Sequence, residues 1–277
     1  MSRKAAEQPV FKRYRLPTNG KKVSLEDFDT RDKACFPDRE EAEASAAADI
    51  AQIDTLQDIL YAEGKHALLI VLQATDTGGK DSTIRKVFGP VDPLGIRATS
   101  FKVPSTLERS HDYLWRIHQA VPPKGMIGIF NRSHYEDVLV VRVHELAPKK
   151  AVEQRYDQIN GFEQHLAEND VTILKFYLHI SKDEQKERLQ ARLDEPNKHW
   201  KFNPSDLKER ERWDDYREAY EIALSRCSTK AAPWFVIPAD RKWYRNAVIA
   251  RIIRCTLEGL DLEYPDAPPG LDDIVID

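Results

Sequence analysis

The chain has 277 residues, 41% hydrophobic and 32% charged, which is enough for a sizeable core in one or two lobes and excludes a peptide-sized or extended protein. Its apolar runs are too short for a helical membrane span, and the polar opening Met1-Ser2-Arg3-Lys4 lacks the apolar segment of a secretory leader, so a cytoplasmic protein with no membrane partner is expected. A net charge of −4, from 42 Lys and Arg against 46 Asp and Glu, argues against a nucleic-acid partner and confines any polyanion to a local patch. Cys35, Cys227 and Cys255 have neither the number nor the spacing of a disulfide framework or a metal site, and are expected to be reduced packing residues.

Residues 1–39 show little periodicity and carry Pro9, Pro17 and Gly20, which predicts a loosely ordered N-terminal arm. From Arg39 to Glu63, Ile50, Ile53, Leu56, Ile59 and Leu60 recur at helical spacing and predict an amphipathic helix. His66 to Gln73 is a short continuous apolar run suited to a central parallel strand. Similar runs at 96–103, 126–130, 171–180 and 234–238 alternate with segments of helical length, the pattern of a parallel sheet with crossover helices on both faces. Ser105 and Glu108 form a capping-box pattern that predicts a helix running to about Ala120. Further helices are expected from Pro148 to about Asn169, and from Asn203-Pro204 through Leu207, Trp213, Tyr216, Tyr220 and Leu224. The tail from Pro265 is acidic and is assigned no chemistry.

The first strand runs into Ala74-Thr75-Asp76-Thr77-Gly78-Gly79-Lys80-Asp81-Ser82-Thr83, followed by Ile84, Val87 and Phe88 at helical spacing. A strand, a glycine turn, a lysine and a helix make a phosphate cradle: the glycines let backbone N–H groups converge on phosphate oxygens, and Lys80 adds a mobile cation. Ala74 stands where the usual pattern has its first glycine, and Asp81 where it has a hydroxyl that holds Mg2+. Asp76 inside such a loop is repelled by bound phosphate unless a divalent cation lies between them, which points to Mg2+.

After the third strand, Asn131-Arg132-Ser133-His134-Tyr135-Glu136-Asp137 crowds polar groups at the carboxyl edge of the sheet, where open α/β sheets bind ligands. Arg132 suits a phosphoryl clamp and Asp137 a second metal ligand, whereas His134 and Tyr135 read as packing residues. Arg188 and Arg192 lie one helical turn apart, and beyond them Lys198, His199, Trp200 and Lys201 form a locally unopposed basic loop that looks like a lid closing over phosphates.

These three segments together resemble the polyphosphate kinase 2 family over about residues 40–258. The resemblance implies an α/β, P-loop kinase-like three-layer sandwich with a mostly parallel five-stranded sheet and a helical lid. The organisation expected is an arm over 1–39, a core over 40–258 with the lid inserted at about 182–217, and a tail over 259–277. By the same resemblance Asp76, Lys80, Arg132 and Asp137 are active-site residues, with Asp76 and Asp137 at the metal, Mg2+ being the expected cofactor and Mn2+ a substitute. Thr77, Gly78, Gly79, Asp81, Ser82, Asn131, Glu136, Arg188, Lys198 and Lys201 would bind substrate. Asn131 and Glu136 look like the branch that accepts both AMP and ADP; members restricted to diphosphates usually carry Asp and Asn there. The implied function is Mg-dependent phosphoryl transfer from inorganic polyphosphate to AMP and ADP, giving ADP and ATP reversibly, in a homo-oligomer of two or four copies. An ATP-dependent P-loop nucleoside or nucleotide kinase and a non-catalytic nucleotide-binding regulator are the competing readings. Asp81 argues against the first, and the pairing of Asp76 with Asp137 against the second.

Overall fold

The computed structural model describes residues 9–18, 20–270, 274 and 276. Residues 1–8, which include the polar opening Met1-Ser2-Arg3-Lys4, and most of the tail beyond 270 lie outside the described residues. Five strands, β1 (Ala67–Gln73), β2 (Ile96–Ser100), β3 (Ile127–Asn131), β4 (Val171–His179) and β5 (Trp234–Pro238), form one sheet in the order β2-β3-β1-β4-β5. Every pairing in it is parallel. All seven residues of β1 are buried, as its unbroken apolar run requires of a strand covered on both faces.

Side chains alternate across the pleat. Leu68, Ile70 and Leu72 join a core with Val10 and Phe11 of the helix α1 (Pro9–Tyr14), Ile53 and Leu60 of the helix α2 (Arg39–Glu63) and Val248 and Ile252 of the last helix, Lys242–Glu258. Leu69 and Val71 face Tyr156 and Ile159 of the helix Lys149–Glu168 and Tyr220 and Leu224 of the helix Trp213–Arg226. The sheet is thus the middle of three layers. The ends of α2 follow from its caps: Asp38 accepts from the Glu41 N–H, and Gly64, at φ 64°, closes the helix on the Leu60 carbonyl at 3.1 Å.

Three local expectations fail for identifiable reasons. The helix opened by Ser105 has both halves of its capping box but spans only Thr106–Arg109, and helix resumes at Trp115–His118. Ser110 donates to the Leu107 carbonyl and Asp112 accepts from the Leu114 N–H, so short polar side chains compete with the helical ladder. The helix beginning near Pro204 divides into Ser205–Glu211 and Trp213–Arg226 around Arg212, whose ψ is 23° and whose guanidinium is anchored on the Val143 carbonyl.

The described part of the segment read as a loose arm, residues 9–18 and 20–39, is tied down instead. Phe11 is fully buried and meets Phe235 edge-on at 5.4 Å, and the Leu16 N–H donates to the Trp234 carbonyl at 2.8 Å, which covers the edge of β5. Its anchors are single side chains with no period, and a reading by periodicity passes over them. Among the described residues no helix is long and apolar enough to cross a membrane, and the three cysteines are free thiols.

Candidate active site

β1 delivers the chain into a tight loop at the carboxyl edge of the sheet. The Gly78 N–H donates to the Thr75 carbonyl at 3.0 Å, and Thr77 and Gly79 take φ of 61° and 102°. A Cβ on Gly78 would stand 2.4 Å from that of Ala74, so only glycine fits. Thr77 holds a left-handed conformation that a β-branched residue adopts only under constraint. The Gly79 carbonyl collects the Thr83 N–H and the hydroxyls of Ser82 and Thr83 at 2.9 to 3.1 Å, which locks the loop to the helix α3 (Lys80–Thr83) that follows. Lys80 folds back over the loop, its Nζ 3.0 Å from the Ala74 carbonyl. Burial and the Arg132 charge push its ammonium below the usual lysine pKa, opposed by Asp76, Glu136 and Asp81.

The register of β3 on β1 sets Asn131 beside Leu72 and so brings the next loop to the glycine loop after β1. Asn131 donates to Asp81 at 2.5 Å. Arg132, at φ 62°, donates its N–H to the Leu72 carbonyl and its guanidinium to Asp76 Oδ1 at 3.1 Å, with Glu136 at 3.9 Å. Burial opposes the Arg132 charge, but Glu136 and Asp76 hold its pKa above the ordinary arginine value.

Behind this loop lies a buried ionic knot. Lys175 of β4 donates to Glu163 at 2.6 Å, to Tyr135 Oη at 2.7 Å and to the Cys227 carbonyl at 2.7 Å. Glu163 also bonds His134 Nε2 at 3.1 Å and receives the Tyr135 hydroxyl at 2.9 Å. His134 and Tyr135 therefore anchor the loop, matching their reading as packing residues. Glu163 and Lys175 escaped the sequence reading, although a lysine within the apolar run of β4 is a visible signal for a buried ion pair.

Asp76, Arg132 and Glu136 open into a cavity of about 360 Å³, together with Gln185, Asp206, Glu209, Trp213, Tyr216 and Tyr220. Burial and the nearby Asp76 raise the Asp206 carboxyl pKa, against the pull of Arg192 bound to it at 2.8 Å. None of Gln185, Asp206 or Glu209 was anticipated; they sit among charges that read as a solvated helical face.

Asp137 is placed elsewhere. It receives Arg155 at 3.2 Å and lines a separate cavity of about 480 Å³ with Arg109, Tyr113 and Arg116. Burial raises its carboxyl pKa in spite of Arg155 and Arg116. The structure does not bring Asp76 and Asp137 into one cavity: Asp76 lines the 360 Å³ cavity and Asp137 the 480 Å³ one, where Arg155 holds it. Among the described residues no three acidic, His or Cys side chains cluster as a ready-made metal cage.

The lid residues also differ from expectation. Arg188, on the helix Lys182–Asp194, spends its donors on Glu184 and on the carbonyls of Thr77, Ala239 and Asp240, so it braces the cradle from behind. Gln185 likewise donates to the Asp76 carbonyl at 3.0 Å. Lys198, read as unopposed, pairs with Glu195 at 2.5 Å, and Lys201 lies 4.9 Å over the exposed Trp200 ring. The charges are local because Glu195, three residues before Lys198, lies within reach around a single turn.

A sequence profile described as polyphosphate kinase 2 matches residues 37–265. The chain belongs to the polyphosphate kinase 2 family. An AMP/ADP-polyphosphate phosphotransferase of Meiothermus ruber is 52% identical over 268 residues, 96% of this chain and 100% of that protein. An ADP-polyphosphate phosphotransferase of Rhodopseudomonas palustris is 41% identical over 91% of both chains. The crystal structure of polyphosphate kinase 2 from Arthrobacter aurescens TC1 superposes with a TM-score of 0.89 at 44% identity, covering 96% of this chain and 93% of that one. The chain thus shares its overall fold with a solved polyphosphate kinase 2.

Proposed function

We propose that this protein transfers phosphoryl groups from inorganic polyphosphate to AMP and ADP, forming ADP and ATP reversibly with a divalent cation. The observation that carries the reading is the convergence of Lys80, Asp76 and Arg132 on one cradle at the carboxyl edge of β1 and β3, in a chain of this family. In each turnover the terminal phosphoanhydride bond of the donor breaks, its oxygen stays with the shortened chain, and a nucleotide phosphate oxygen bonds the phosphorus. That acceptor oxygen is already ionised near neutral pH, so the site needs no strong general base. It needs in-line placement and cancellation of charge.

The residues answer those needs. Loop amides and Lys80 hold donor phosphate, and an arriving phosphate favours the ammonium form, opposing burial and Arg132. Arg132 is now held by Asp76 and Glu136, and phosphate oxygens offer its guanidinium a bidentate alternative. The oxygen donors around the 360 Å³ cavity suit Mg2+, which is commonly held by one or two carboxylates plus substrate phosphates and water rather than by a full protein cage. Asp76 is the residue we assign to hold it, with Mn2+ able to substitute; an ion held there would supply charge neutralisation for the transferred group. Asp137 acts in this reading by holding Arg155.

The reading includes both acceptors, a cytoplasmic setting and a homo-oligomer of two or four copies. The test is to incubate the pure chain with Mg2+, with AMP or ADP as acceptor and with polyphosphate or ATP as donor, and to resolve the nucleotides. ADP and ATP should form from AMP with polyphosphate. Transfer from ATP alone would favour a nucleotide kinase, and no transfer from either donor would favour a regulator.

A further inference from the structure

The last helix, Lys242–Glu258, carries a charge that the reaction as described does not use. Arg245 is fully buried. Its Nε and Nη2 donate to the neighbouring Asn246 side chain at 3.1 and 2.9 Å, and Nη2 also donates to Ser82 Oγ at 3.0 Å. Nη1 is buried with no hydrogen-bond partner. Among the described residues no carboxylate forms an ion pair with it, and its electrostatic neighbour is another cation, Arg188. Burial and Arg188 together lower its pKa to about 9, the mark of a charge with nothing opposite it. A guanidinium does not escape this by losing its proton at neutral pH.

The orphan nitrogen has a definite direction. A Cβ built on Gly79 would lie 2.0 Å from Arg245 Nη1 and 3.1 Å from Cζ, so the guanidinium edge presses against the Gly79 backbone. Ser82, which accepts from Arg245, donates its own hydroxyl to the Gly79 carbonyl at 2.9 Å. The contact is therefore with the cradle itself. It also accounts for the glycine, since any side chain at position 79 would collide with the guanidinium.

We infer that Arg245 is a positioning residue for polyphosphate, a fixed cation held against the back of the cradle whose missing counter-charge is supplied by phosphate docked on the loop. This rests on the donor reading above and deepens it. A buried unpaired charge costs stability, and an anion that offsets it binds more tightly for that reason; the two effects are one coupling seen from either side. Arg245 touches no reacting atom in this scheme and acts through Gly79 and Ser82.

The experiment compares the parent with Arg245→Met, which keeps the length and removes the charge, and Arg245→Lys, which keeps the charge. Each is melted with and without tripolyphosphate, its tripolyphosphate affinity is measured by calorimetry, and initial rates are taken against polyphosphate concentration. Arg245→Met should fold and melt no lower than the parent without ligand. Its tripolyphosphate affinity should fall on the order of tenfold, with a smaller ligand-induced rise in Tm and a raised KM for polyphosphate, while Arg245→Lys recovers most of the affinity. A purely structural peg would lower the ligand-free Tm and leave affinity alone. Unchanged tripolyphosphate affinity in Arg245→Met, or failure of that variant to fold, overturns the inference. Binding is read separately from turnover, so a parent that transfers no phosphoryl group overturns the kinase reading instead.

Discussion

Lys175 and Arg245 are both fully buried cations, on opposite faces of the same sheet, and their surroundings differ in one decisive respect. Lys175 meets Glu163, Tyr135 and a carbonyl, each within 2.7 Å, and this knot holds the loop that presents Arg132. Arg245 meets only neutral acceptors and backs the glycine loop after β1. A buried charge with its partner inside the protein fixes a loop, whereas one without a partner is poised for an anion from outside. The contrast can be broken by mutation, because the first charge should be costly to remove and the second should not.

Lys175→Met should produce the largest change. It strands the Glu163 carboxylate in the core beside His134, and removing one partner of a buried pair typically costs ~3–5 kcal/mol. Denaturant titration should register that loss, and a midpoint equal to the parent's would erase the distinction between the two cations. Next comes Lys80→Ala, which should lower kcat about 10² to 10³-fold, the range for losing a donor aimed at developing charge, with its melting temperature kept. Activity within a few-fold of the parent would remove Lys80 from the reaction.

The carboxylates sharpen the comparison further. Asp76→Asn should raise the Mg2+ concentration needed for half-maximal rate by roughly tenfold, since it withdraws an anionic ligand from a hard cation. Asp137→Asn, facing Arg155 in the other cavity, should shift that titration much less. Equal shifts would show that the two carboxylates share the ion after all. Glu136→Asn comes next, with an effect of roughly several-fold on the ratio of AMP to ADP rates, as expected for a group that orients the shorter acceptor. Rates that fall together, along with the melting temperature, would make Glu136 a structural partner of Arg132. The smallest effect belongs to Lys198→Ala with Lys201→Ala. Because Lys198 has Glu195 and Lys201 has Trp200, polyphosphate KM should rise only about two- to threefold, less at high salt.

The elements around this site were legible to different degrees for physical reasons. Continuous apolar runs mark β1, β3 and β5, since a strand covered on both faces has no polar side to interrupt it, whereas β2 at the sheet edge is mostly exposed and carries Arg97, Thr99 and Ser100. The cradle is readable because Gly78 and Lys80 are required by backbone approach and charge. Hidden from the sequence were partnerships across long separations, such as Arg245 with Ser82, Glu163 with Lys175, and Arg188 with the Thr77 carbonyl. No local period encodes such pairs. The break at Ser110 and Asp112 was written in short polar residues that the capping box upstream overshadowed.

The most direct test of the account follows the phosphorus atoms. A phosphorus NMR time course with AMP, long-chain polyphosphate, Mg2+ and no ATP should show the β-phosphorus of ADP and then the γ-phosphorus of ATP appearing as polyphosphate is consumed, with no orthophosphate released ahead of them. Orthophosphate accumulating while AMP stays unchanged, or AMP untouched until ATP is added, would contradict transfer from polyphosphate at this site.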